Sequence, residues 1–509
     1  MQTVCGIDLG TQSCKLIVYD YTKKEIIAQA QTPVDLIAEN DGTREQEAEW
    51  YDEALKICFN KIDKSVRSTI AAIGVSGHQH SLVPLNEKGK PVYRVKLWCD
   101  TSTAAECEEL TKLAGGEKKL IAKTGLPMRP GYTAPKVQWL KNHKPKAFAG
   151  LRHVILPHNY INFLLTGAYS AEFGDASGMA LFDVRERKWS QSVCKYISPD
   201  LEKWLPPLIA SGDIAGKVSK QAAALYGIPE GALVASGGGD NMMSAIGTGT
   251  VRDGFLTMSL GTSGTLFGFS KKPVIDPTGN LAAFCSSSGG WLPLLCTMNC
   301  TVASEEFRKL FDLEVKAFDA EAEKAPIGAD GIVVLPFFNG ERTPNLPNGR
   351  ASINGVTAAN FKRENLARAA LESAIFGMRI GLEGFNTLGF KAKEIRLTGG
   401  GSKSPIWQNI AANVMGLPVK VPASGEAAAM GGAIQALWCL QKNSHDKAKS
   451  SASKENTPKS SSSIEALADE HVVLEGGKVV KPEKKDVAAY DKAYAVYSRY
   501  LGALSPLYK

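Results

Sequence analysis

Val4-Cys5-Gly6-Ile7-Asp8-Leu9-Gly10-Thr11-Gln12-Ser13-Cys14-Lys15-Leu16-Ile17-Val18-Tyr19-Asp20 is the stretch whose reading decides the fold. Two apolar runs, Val4 to Ile7 and Leu16 to Tyr19, flank a short loop of small polar residues, a pattern that predicts a β-hairpin. Gly6 and Gly10 permit close backbone approach, and Thr11, Gln12 and Ser13 supply side-chain and backbone donors. Lys15 adds a cation just beyond. Such a loop suits a phosphate chain, with Asp8 turned towards a Mg²⁺ ion rather than towards the phosphates. The same residue types also occupy hairpin turns that bind nothing.

The pattern returns half a chain later in Gly254-Phe255-Leu256-Thr257-Met258-Ser259-Leu260-Gly261-Thr262-Ser263-Gly264-Thr265-Leu266-Phe267-Gly268. Leu-Gly-Thr again sits between two apolar runs, but Ser259 stands where the first copy has Asp8. Two such hairpins suggest a duplicated domain of which one copy keeps the carboxylate.

The bulk composition sets limits around this reading. A chain of 509 residues has room for two or three domains. A net charge of +7 over that length is mild, and no basic block interleaved with aromatics points to nucleic acid. The ten cysteines include no CxxC pair, which favours buried reduced thiols over a zinc or disulfide framework. No apolar run reaches the length of a membrane span, and no signal-like segment opens the chain, so a cytoplasmic enzyme is expected.

Further along, Ile26 to Thr32 predicts a third strand, and Glu45 to Trp50 the opening of a helix. A buried strand from Thr69 to Val75 runs into Ser76-Gly77-His78-Gln79-His80, and side chains at such a strand end meet ligands in open α/β sheets. His78 and His80 read equally as polar loop residues. Val92 to Leu97 predicts a strand, Met128 to Lys136 a turn before a helix at Val137 to Leu140, and Gly174 to Gly178 a small-residue loop. Leu233 to Ser236 is a strand followed by Gly237-Gly238-Gly239-Asp240-Asn241. Three successive glycines are tolerated where something approaches the backbone closely. Asp240, at a helix start, reads either as an N-cap or as a functional acid.

The second half repeats the order, and its strand Ile395 to Thr398 ends in Gly399-Gly400-Gly401-Ser402 before a helix near Ser404-Pro405, a place for a nucleotide to approach. Lys442 to Ser463 is rich in Ser and Lys and predicts a mobile loop. Tyr490, Tyr494, Tyr497 and Leu501 share one helical face and predict a tail helix that docks back on the body.

Together these segments resemble the FGGY family of carbohydrate kinases, and within it the branch acting on D-xylulose. The resemblance spans nearly the whole chain. It rests on Gly6 to Thr11, Gly77 to His80, Leu97-Trp98-Cys99-Asp100, Gly131 to Lys136, Gly238 to Asn241, Ser259 to Gly264, Gly340-Glu341-Arg342-Thr343-Pro344 and Thr398 to Gly401. It implies an α/β fold of two actin-like (ribonuclease H-like) domains, 1–253 and 254–509, with sugar and ATP in the cleft between them.

The resemblance further implies residue roles. Asp240 would be the general base towards a sugar hydroxyl, and Asp8 would act through Mg²⁺. Gln79, His80, Asp240, Asn241, Trp98 and Tyr132 would contact the sugar. Thr11, Gln12, Ser13, Lys15, Gly261 and Thr262 would cradle phosphates from opposite domains, with Gly400, Gly401 and Ser404 along the adenosine. The absence of GxxxxGK[ST] disfavours a P-loop kinase. One departure stands out: Thr101-Ser102 follow Trp98-Cys99-Asp100 where relatives often carry an arginine. Ribulose, a 6-deoxyketose or a polyol remain alternative substrates, and monomer and homodimer are both open. Retention of both Asp8 and Asp240 counts against a non-catalytic sensor on the same scaffold.

Overall fold

The computed structural model describes residues 2–451 and 463–508. The apolar pattern around Gly10-Thr11 forms the hairpin it predicts: Thr3–Leu9 pairs antiparallel with Ser13–Asp20, placing Asp8 opposite Lys15. A sheet grows around it in the order Ile214–Lys217, Leu233–Ala235, Ile70–Gly77, Thr3–Leu9, Ser13–Asp20, Glu25–Pro33. Its three central strands run parallel and are almost wholly buried, as strands covered on both faces must be.

The second sheet repeats this path in the order Leu474–Val480, Val419–Pro422, Glu394–Thr398, Phe255–Leu260, Gly264–Gly268, Trp291–Thr297. Parallel and antiparallel pairings fall at the same places in both paths. One more strand, Ala282–Cys285, extends the far edge. The hairpin repeat in the sequence is therefore the seam of a whole-sheet duplication.

The helix Ala427–Ser451 follows the second sheet in sequence yet packs on the first. It does so because Gly6 and Gly74 expose bare backbone: a Cβ at either would overlap the carbonyls of Ala429 and Gly432. A division at 253/254 therefore separates this helix from the sheet it covers. Across the cleft floor the Ala282–Thr297 region is tied to the first half. Ser177 accepts from the Cys285 amide at 2.9 Å, and Trp291 donates to the Val184 carbonyl at 2.8 Å. Arg187 stacks on Trp291 at 4.0 Å.

Several local expectations change. Glu45 and Gln46 lie in a short strand, Arg44–Gln46, because they pair with Val95–Lys96; the helix begins only at Glu49. Only Val95–Lys96 of the 92–97 run is strand. The turn expected through Lys136 ends earlier, since Thr133–His143 is already helical. Gly174 to Gly178 is not a plain loop: Phe173–Ser177 is helical, capped by Glu172, whose carboxylate accepts from the amides of Gly174 and Asp175. The expected loop at 442–463 begins as helix through Ser451, with Lys442 paired to Asp213 at 2.7 Å; its part at 452–462 lies outside the described residues. The tail docks as expected, with Tyr490, Tyr494 and Tyr497 packed around Phe376.

Candidate active site

Strand register brings the acids together. Ser76 pairs with Asp8 on one side and Gly238 on the other, and Gly77 likewise lies between Leu9 and Gly239. Asp8, the 78–80 segment and Asp240 therefore leave the first sheet at one edge, the carboxyl end of its parallel strands.

Asp8 accepts from the Ser76 hydroxyl at 2.9 Å. Burial in the cleft pushes its pKa up to about 6 against the opposing pull of that hydrogen bond and of Lys15. Lys15 is itself held by Glu426 at 2.8 Å, so the expected phosphate cation is shared with a carboxylate. Asp240 is the first residue of the helix Asp240–Gly247, with Gly239 at the N-cap, so the capping role does not fall to it. Its carboxylate accepts from the amide and side chain of Asn241, at 2.8 and 3.0 Å. Cleft burial raises its pKa to about 7, with the charges of Asp8 and Asp175 adding to the rise. Such a carboxylate is a strong enough base to take a hydroxyl proton near neutral pH.

The sugar-side residues converge on these acids. Asn241 donates to Gln79 at 2.6 Å, and Gln79 donates to the Met242 sulfur at 3.0 Å. His80 has a backbone φ of 63° and lies edge-on to Tyr132, with ring centroids 5.3 Å apart. Its carbonyl is gripped by the Thr133 hydroxyl and by Lys136 Nζ, at 3.0 and 2.9 Å. Lys136 also donates to the Gly131 carbonyl at 2.6 Å, and burial lowers its pKa to about 7. Trp98 donates from Nε1 to the Thr11 hydroxyl at 2.9 Å, joining the segment after Val95–Lys96 to the first hairpin.

His78 goes elsewhere. Fully buried, it bonds Ser81 at 2.7 Å and Tyr51 at 3.1 Å, and burial lowers its pKa to about 3. Asp100 is likewise structural, buried and paired with Lys96 at 3.0 Å.

The remaining expected residues form two turns and a hollow. Gln12 and Ser13 border a space of about 390 Å³ with Gln31, Thr32 and Pro33. In the second domain the carbonyls of Gly261 and Thr262 accept the amides of Thr301 and Cys300, fixing that turn to the start of the helix Thr301–Leu310. Gly399, at φ 84°, lies so close to Leu260 that a Cβ would overlap its backbone, which sets Gly400 and Gly401 beside the second hairpin. Gly400 faces open space, and Ser404 follows directly before the helix Pro405–Met415.

Three groups at the site escaped the sequence reading. Phe284, from the second sheet, lies 5.1 Å from the His80 ring and closes the pocket from across the cleft. Arg342 stands 5.9 Å from the Trp98 ring and donates to Cys296; its motif was visible, but not its reach. Asp175 accepts from His158 Nδ1 at 3.0 Å and lies 3.6 Å from His80 Nδ1.

A magnesium ion fits the donor set. Among the described residues Asp8 accepts a hydrogen bond at Oδ1 alone, and its charge adds to burial in raising Asp240, as two carboxylates near one cleft do. Magnesium ordinarily takes one or two carboxylates and completes its shell with water and phosphate oxygens.

Residues 3–247 match the N-terminal domain of the FGGY family of carbohydrate kinases, and residues 256–440 its C-terminal domain. The chain is 42% identical to a xylulose kinase of Haemophilus influenzae over 99% of both chains. It is 34% identical to a xylulose kinase of Streptomyces coelicolor, covering 86% of this chain and 88% of that one. The crystal structure of a xylulose kinase from Bifidobacterium adolescentis superposes with a TM-score of 0.78 at 27% identity, over 97% of this chain and 99% of that one. No helix among the described residues is long and apolar enough to cross a membrane.

Proposed function

The chain belongs to the FGGY family of carbohydrate kinases, and from that premise we propose that it transfers the γ-phosphoryl group of Mg-ATP to the C5 hydroxyl of D-xylulose. It is a sugar phosphotransferase built on two actin-like domains. The choice of sugar draws on the full-length likeness to the Haemophilus protein. The role of Asp240 rests on one observation: a carboxylate held by Asn241 and raised to about 7, where three elements of the first sheet converge.

A sugar hydroxyl is a weak nucleophile. Asp240 accepts its proton as the oxygen bonds to phosphorus, so the alkoxide never stands free. Asn241, Gln79, His80, Trp98 and Tyr132 orient the sugar so that this hydroxyl, rather than its neighbours, meets Asp240. Thr11, Gln12, Ser13, Lys15, Gly261 and Thr262 hold the phosphates from the two hairpins, and Gly400, Gly401 and Ser404 flank the adenosine. Asp8 would hold the magnesium of Mg-ATP, which neutralises phosphate charge. Phe284 and Tyr132 cover the pocket with apolar surface, so water competes poorly with the sugar as acceptor.

The ³¹P and ¹³C spectra of the product test the regiochemistry. Phosphorus coupled to C5 is expected; coupling to C1 would refute the orientation assigned to the pocket.

A further inference from the structure

Behind the pocket lies a buried acid that the proposed chemistry leaves unused. Asp175 is fully buried in the short helix Phe173–Ser177, and one of its oxygens is already committed. The Asn159 side-chain oxygen accepts from the Leu156 amide, which turns its Nδ2 towards His158 Nε2 at 2.7 Å. His158 Nε2 is therefore an acceptor, and the ring's proton sits on Nδ1, donated to Asp175 Oδ2. Burial pushes the Asp175 carboxyl up, and the bond from His158 opposes that rise.

Its other oxygen, Oδ1, has no hydrogen-bond partner among the described residues and faces His80 Nδ1, also buried and without one there, at 3.6 Å. The packing leaves them little choice. A Cβ on Gly178 would overlap the His80 imidazole, and one on Gly239 would come within 3.1 Å of the Asp175 carboxyl carbon. Asp175 is thus wedged between the His80 ring and the residue preceding Asp240. The His80 side chain nonetheless keeps 10% of its surface open.

We propose that Asp175 is a positioning residue of the sugar site: its free oxygen holds His80 as the Nδ1-protonated tautomer, so that Nε2 presents a lone pair to a sugar hydroxyl. The proposal rests on the sugar-kinase reading above. The groups facing His80 are Asp175, Lys136 and, from the second domain, Arg342; burial and the two cations hold its ring neutral.

Asparagine at 175 reverses the signal. Its oxygen keeps the His158 bond while its NH₂ faces His80, which must then accept at Nδ1 and carry its proton on Nε2. The test is ¹⁵N imidazole NMR of the native chain and of Asp175→Asn, with His80→Asn to assign the resonance, alongside kinetics. An Nδ1–H signal is expected for His80 in the native chain and an Nε2–H signal in the variant. The KM for D-xylulose should rise about tenfold with KM for ATP unchanged, because the site then offers a donor where the sugar brings one.

An Nε2–H tautomer in the native chain overturns the proposal even if the variant fails to fold. So does a folded variant with native tautomer and KM. Asp240→Asn separates the two readings: full turnover in that variant removes the base assignment, whereas its inactivity beside a native-like Asp175→Asn removes only the role of Asp175.

Discussion

Asp8 and Asp240 stand at one edge of the first sheet because Ser76 lies between the strand carrying Asp8 and the Gly238–Gly239 segment that launches Asp240. The charge on Asp8 adds to burial in raising Asp240 to about 7. In the proposed mechanism that pair supplies the cation ligand and the base.

The first consequence is a pH profile. A base must be deprotonated, so kcat/KM should fall tenfold per unit below about pH 7 and level off above it. Initial rates between pH 5.5 and 8.5 at saturating Mg-ATP check this; a flat profile to pH 5.5 contradicts the raised base.

Lys136 links the sugar pocket to stability. Its amine grips the carbonyls of His80 and Gly131, so Lys136→Met should raise KM for the sugar about tenfold and leave KM for ATP unchanged. Its folded-state pKa of about 7 lies below the ordinary lysine value, so the unfolded chain binds more protons between pH 7 and about 10. Stability relative to Lys136→Met should therefore grow as pH rises through that window. Urea unfolding of both chains at pH 7 and 9 measures the difference, and a constant gap would refute it.

On the proposed roles, Trp98 should couple the two substrates. Trp98→Phe removes the bond to Thr11, whose loss at about 1 kcal/mol corresponds to roughly a fivefold weaker grip. Both the ATP and the sugar KM should rise by that order. An effect confined to the sugar would mean the Thr11 bond carries nothing to the hairpin.

Gly74→Ala probes the crossing helix. The added methyl would overlap the Gly432 carbonyl, so a cost of about 1–3 kcal/mol is expected as the helix Ala427–Ser451 shifts off the first sheet. Thermal unfolding reports it; an unchanged midpoint would show that the helix yields freely.

The hairpins, the glycine-rich strand ends and Asp240 were legible because they are local: apolar alternation, turn residues and a helix start lie within a few positions. What escaped was non-local. Asp175 sits in a run of small residues that reads as a turn, and its meaning comes from His158, His80 and Gly239, each brought in by another element. Phe284 is an ordinary strand aromatic until the second sheet meets the first. Glu45 and Gln46 carry helix-favouring side chains, but pairing with Val95–Lys96 overrides that preference. His78 and His80, two residues apart and both buried, part company through their partners: one is locked between Ser81 and Tyr51, the other packs against Tyr132 and Phe284.

Sugar-dependent ADP formation from Mg-ATP tests the central claim most directly, with D-xylulose, D-ribulose, L-fuculose, L-rhamnulose and glycerol compared for the native chain and Asp240→Asn. The account predicts a marked preference for D-xylulose, reduced by about 10²–10⁴ in the variant while ATP binding persists. Preference for another acceptor, or turnover undiminished in Asp240→Asn, would contradict it.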